Sequence, residues 1–120
     1  MSIWRLLRVL WEWFREAGPA REPERRSLKL MREWLSAAQR EQFDKRGYFD
    51  VVGSHTGRRY RIRTGTATNI YELDPIGHAV ARWCFVPGEP LPAGDVMLSQ
   101  KIALENDEQA ALTVARSFHA

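Results

Sequence analysis

Three turn clusters of four residues each divide the middle of the chain, and they leave few folds open. Ser54-His55-Thr56-Gly57, Gly65 to Thr68 and Asp74-Pro75-Ile76-Gly77 separate runs rich in β-branched and aromatic residues. The last cluster carries Asp first, Pro second and Gly fourth, the chemistry of a tight turn. Connections this short cannot hold a parallel crossover, which needs a dozen or more residues. Four strands are therefore expected to pair as an antiparallel meander: Tyr48 to Gly53, Arg58 to Thr64, Asn69 to Leu73 and His78 to Val86.

On both sides of this stretch the hydrophobic period becomes helical. Leu28, Met31, Leu35 and Ala38 follow the 3-4-3 spacing of one helix face, which predicts a helix from about Glu22 to Leu35. Ser36 with Gln39 forms a capping box, so a second helix restarts there and runs to Arg46, ending at Gly47. Pro87 to Gly94 holds three prolines and two glycines and reads as a loop. Asp95 is expected to cap a helix over Val96 to Glu105, Asn106-Asp107 to break it, and a last helix to carry Ala111, Val114, Ala115 and Phe118 on one face. Helices, four strands, then helices make an α+β chain, a four-stranded antiparallel meander sheet flanked by N-terminal and C-terminal helices. The expected organisation is an amphipathic Trp-rich helix over 1–17, a linker over 18–26 and one α+β domain over 27–120.

Composition narrows the function classes. Among 120 residues, 44% are hydrophobic and 28% charged, enough apolar surface for one packed domain. One cysteine excludes a disulfide scaffold and a Cys-rich zinc module. His55, His78 and His119 fall at no metal-ligand spacing. Cys84, between Trp83 and Phe85, reads as a small core thiol. Gly65 to Thr68 lacks the glycine spacing and the lysine of a phosphate loop. No enzyme, cofactor, metal or small-molecule substrate is expected from these patterns. Net charge is +3, unevenly spread: +4 over 1–46, +2 over 47–85 and −3 over 86–120. A basic front suits an anionic partner, or an acidic tail of the same chain. No run of about 18 apolar residues is present, and the expected location is cytoplasmic or peripheral to the inner face of the membrane.

Two patterns point to contact surfaces. Residues 3–16 form a helix pattern whose charged residues, Arg5, Arg8, Glu12, Arg15 and Glu16, share one narrow stripe. The remaining arc, roughly 220° wide, is apolar and carries Trp4, Leu7, Leu10, Trp11 and Phe14. Such a helix packs into its own domain, pairs with a second copy, enters another protein's groove or lies on a membrane surface. The second pattern is a run of arginines. Arg59, Arg61 and Arg63 alternate and so share one strand face, with Arg58 beside them in sequence. Either this face is simply solvated, its charges blocking edge pairing, or it contacts nucleic acid weakly. The aromatic platform that nucleic-acid binding uses is not evident on it.

The segment Thr56-Gly57-Arg58-Arg59-Tyr60-Arg61-Ile62, with Asn69, Leu73, Trp83-Cys84-Phe85, Pro87 and the stretch Leu91-Pro92 through Gly94-Asp95-Val96-Met97-Leu98 to Gln100-Lys101, resembles a small domain found in uncharacterised bacterial proteins. The resemblance implies a compact unit over about 47–104 and no activity. The expected function is a non-enzymatic interaction module that contacts a protein partner, a second copy or a membrane through its N-terminal helix. Nucleic-acid binding through Arg58, Arg59, Arg61 and Arg63 is the alternative.

Overall fold

The computed structural model describes residues 22–65, 67–84 and 91–119, side chains of 116–119 excepted. The amphipathic segment with Trp4, Leu7, Leu10, Trp11 and Phe14 lies outside the described residues. Helix α1 (Glu22–Trp34) opens with Glu22 and Glu24 in its first turn, where acidic side chains meet the helix dipole favourably. Helix α2 (Ala37–Arg46) starts at the expected capping box. Ser36 Oγ accepts from the Gln39 N–H at 3.1 Å, and the Ser36 N–H donates to Gln39 Oε1 at 3.0 Å. Gly47 ends it in the left-handed conformation, φ 76°, with its N–H on the Phe43 carbonyl. A two-pronged Arg32–Asp44 pair, at 2.9 and 2.7 Å, holds α1 against α2.

Four strands follow as the expected meander: β1 (Tyr48–Val52), β2 (Arg59–Arg63), β3 (Ile70–Leu73) and β4 (Ala79–Cys84). All pair antiparallel with their sequence neighbours. Helix α3 (Ala93–Val114) then crosses the sheet, and β5 (Arg116–His119) pairs antiparallel with β4 as a fifth strand. The expected last helix thus stops at Val114, and Arg116–His119, Phe118 included, is strand. Pairing along β4 outweighs a helical pattern that held only one more turn. The expected break at Asn106-Asp107 is present: Asp107 leaves helical geometry, with φ −151° and ψ 64°, inside α3.

The hydrophobic core lies on one side of the sheet. Phe49 and Val51 of β1, Tyr60 and Ile62 of β2 and Ile70 of β3 pack against Met31, Leu35, Met97, Leu104 and Ala111 of the helical layer. A buried amide pair fixes α3 over the β2–β3 turn. Asn69 Nδ2 donates to Gln100 Oε1 at 2.9 Å, and Gln100 Nε2 donates to Asn69 Oδ1 at 3.0 Å. Helix α2 runs along the outer edge of β1. Gln42 Oε1 accepts from the Asp50 N–H at 2.8 Å, and Gln39 Nε2 donates to the Asp50 carbonyl at 3.0 Å. Side-chain amides thereby occupy an edge that would otherwise invite another strand.

Deleting residues 1–18 is expected to leave a cooperatively folding domain, because the described core runs from Met31 to Ala111. Thermal melts of the full and shortened chains check this, and loss of the transition on truncation would place the segment in the core.

Candidate nucleic-acid interface

Strand register decides which side chains share the sheet's outer face. Tyr48 of β1 pairs with Arg63 of β2, and Asp50 pairs with Arg61. Arg61 pairs in turn with Tyr71 of β3, and Tyr71 with Arg82 of β4. Side chains of paired residues stand on the same face. Two tyrosines are therefore interleaved with arginines across four strands, opposite the core. The Arg61 guanidinium carbon lies 4.1 Å from the Tyr48 ring centre. That of Arg63 lies 5.9 Å from Tyr48 and 4.9 Å from Tyr71, and that of Arg82 lies 5.5 Å from Tyr71. All fall within the range of cation–π attraction. The sequence pattern suggested that this face lacks aromatic residues; Tyr48 and Tyr71 correct that. Alternation within one strand says nothing about its neighbours' residues, which only the register brings alongside.

The four arginines singled out in the sequence do not act together. Arg59, Arg61 and Arg63 stand on the outer face, joined by Arg82. Arg58 precedes β2 and turns away, with Nη1 3.4 Å from Glu72 Oε2. Glu72 is buried beneath β3, and its other oxygen accepts from the Trp83 indole N–H at 3.2 Å. The Arg58 charge is thus drawn off the face by a buried partner. Arg61 is also engaged: Nε and Nη2 donate to the two oxygens of Asp50 at 2.9 and 3.2 Å. These bonds hold the guanidinium more firmly protonated than usual, although burial opposes it. Arg59, Arg63 and Arg82 form no ion pair among the described residues. Nε of Arg82 is buried without any hydrogen-bond acceptor among them. Arg59 extends toward the β3–β4 turn and helps line an open groove of about 490 Å³ with Thr56, Leu73, Pro75 and Val80.

The chain matches no family model, no curated protein and no solved structure.

Away from the sheet face, the one carboxylate among the described residues shifted far from its ordinary range is Glu108, just after the kink in α3. It is 1% exposed. Its Oε1 accepts from the N–H groups of His55 and Thr56 at 2.9 and 2.8 Å. Its Oε2 accepts from Thr56 Oγ1 at 2.6 Å and Tyr60 Oη at 2.5 Å. Burial pushes this carboxyl up, but the donors from Thr56, Tyr60 and His55 outweigh it and hold it down at about 2. The Tyr60 phenol is pushed up by burial and by the adjacent carboxylate. Every oxygen is engaged by the chain's own donors, so Glu108 is anchored and serves as a clasp between the β1–β2 turn and α3. Sequence reading passed over it, because an acidic residue after a helix break ordinarily faces water.

Other residues weighed in the sequence fall apart in space. His55 and His78 are exposed in separate turns, and Cys84 is a free, half-buried thiol rather than a buried core residue. No group of three His, Cys, Asp or Glu side chains among the described residues is placed to hold a metal ion. No described helix is long and apolar enough to cross a membrane.

Proposed function

We propose that this protein is a non-enzymatic binding module whose outer sheet face takes single-stranded nucleic acid. The observation that carries this is the alternation of Tyr48 and Tyr71 with Arg61, Arg63 and Arg82 on a face opposite the core. Flat rings and guanidinium planes offer stacking surfaces to splayed bases, while cationic groups meet the phosphates between them. With Arg59 included, four positive charges stand there against the one negative charge of Asp50. A duplex hides its base faces, so this surface favours single strands. The clasped state of Glu108 supports a binding role over acid–base catalysis, since its carboxylate has no free lone-pair direction for a substrate.

The amphipathic segment over 1–17 is a second proposed contact element, carried by its sequence. Trp4, Leu7, Leu10, Trp11 and Phe14 suit a protein partner, a second copy or a membrane surface.

Anisotropy titrations with labelled oligothymidylate test the sheet face. Binding is expected in the range of roughly 10⁻⁴ to 10⁻⁶ M, falling as salt rises because phosphate contacts release counterions. Reversing both free charges, Arg63→Glu with Arg82→Glu, is expected to weaken binding more than about tenfold. No binding at low salt, equal binding by the double variant, or preference for the matching duplex would overturn the reading.

A further inference from the structure

Arg61 and its neighbours present two different kinds of cation on one face, and the difference has a consequence for the ligand. Arg61 is held in a fork by Asp50, and both side chains are largely sheltered, 23% and 16% exposed. Arg63 and Arg82 bracket Tyr71 from the strands on either side and have no carboxylate partner among the described residues. Arg82 also buries an Nε donor that has no acceptor among the described residues. A two-pronged carboxylate on guanidinium uses the same donors, in the same plane, as a phosphate does.

We propose that Asp50 is a built-in surrogate for a ligand phosphate, which withholds Arg61 and leaves the phosphate-binding position around Tyr71, between Arg63 and Arg82. The inference rests on the sheet face being the nucleic-acid surface. It makes Tyr71 the centre of the site and reduces Arg61 to a support for Tyr48. An incoming phosphate gains little by displacing Asp50, because the carboxylate is already in place and loses no freedom on staying there. At Arg82 the guanidinium has no carboxylate partner among the described residues, so a phosphate there displaces nothing. The face therefore offers three cations to a ligand, Arg59, Arg63 and Arg82, although it carries four.

Salt dependence counts the cations in use, since each phosphate contact on a single strand contributes about 0.7 to the slope of log affinity against log salt. The test uses the full chain with labelled oligothymidylate as probe, and four proteins: the unaltered chain, Asp50→Asn, Arg61→Gln and the double variant. Arg61→Gln is expected to keep the slope of the unaltered chain, because Arg61 makes no phosphate contact, while the uncovered Asp50 carboxylate weakens affinity. Asp50→Asn is expected to release Arg61, tighten binding and steepen the slope by about 0.7. The double variant is expected to return to the starting value, which separates release of Arg61 from a general change in charge. Should Asp50→Asn fail to fold by circular dichroism, Arg61→Gln compared with Arg63→Gln decides alone: Arg63→Gln must flatten the slope by about 0.7 and Arg61→Gln must not. Equal flattening by both overturns the role of Asp50 while leaving the sheet face as the binding surface. An absence of binding by every protein overturns the sheet face and this inference together.

Discussion

Replacing Glu108 by alanine is expected to cost about 3–4 kcal/mol, because donors in the β1–β2 turn and the Tyr60 hydroxyl lose a charged acceptor at once. In a domain of about 100 residues this corresponds to a fall in Tm of roughly 15–20 °C. Glu108→Gln keeps the shape, and the Thr56 and Tyr60 hydroxyls can rotate to accept from its amide, so it is expected to cost about half as much. The same carboxylate sets an acid limb. Its folded pKa, about 2, lies below its ordinary value of 4.5. A group depressed on folding stabilises the fold above its unfolded pKa and loses that contribution as pH falls through the folded value. The unaltered chain is therefore expected to lose about 3 kcal/mol between pH 5 and pH 2 through this group, with Glu108→Gln flat by comparison over the same interval. Urea unfolding at a series of pH values measures both quantities, and an unchanged acid limb in the Gln variant would remove Glu108 from the clasp.

Gly94→Val is expected to be the next most damaging change, at about 3 kcal/mol. A Cβ at position 94 would lie 2.4 Å from the Ser27 carbonyl carbon and oxygen and 2.5 Å from its Oγ. Two of those atoms are backbone and cannot swing away. The first turn of α3 would have to lift from α1, parting Ser27 from Asp95, where Asp95 N–H donates to Ser27 Oγ at 2.6 Å and Ser27 Oγ lies 3.0 Å from Asp95 Oδ1. Met31 and Met97, both fully buried, sit close to that contact in the sequence of each helix. Gly57→Ala gives the comparison. Its φ is +74°, but a Cβ there meets nothing within 4 Å, so only backbone strain of about 1–2 kcal/mol applies. Denaturation midpoints that rank Gly57→Ala as equal to or worse than Gly94→Val would show that the α1–α3 contact yields easily.

The features that were legible in the sequence are those with local causes. Ser36 and Gln39 are three residues apart and cap their own helix; Asp74 to Gly77 close their own turn; Asn106-Asp107 breaks its own helix. The four meander strands follow from short turns between alternating runs. What escaped has partners far along the chain. β5 exists because β4 offers it a ladder more than thirty residues earlier in sequence. Tyr48 and Tyr71 join the arginine face only through register, though alternation counted outward from the short turns could have placed them there. Glu108 looks like a solvated residue until Thr56 and Tyr60 arrive beside it. Arg58 and Arg61 looked like free cations until Glu72 and Asp50 were found facing them.

The order of elements along the chain has a consequence for synthesis. The inner face of the meander, with Phe49, Tyr60, Ile62 and Ile70, emerges well before Met97, Leu104 and Ala111, which cover it. Helix α1 likewise waits for Gly94 and Asp95. A half-made chain therefore carries a bare apolar sheet, and nothing synthesised earlier in the described chain can shield it fully. Folding must close contacts far apart in sequence, which slows it and leaves the intermediate open to self-association. Exposure of this sheet before α3 arrives is a property of the folding route, which melting temperatures of the finished fold do not report.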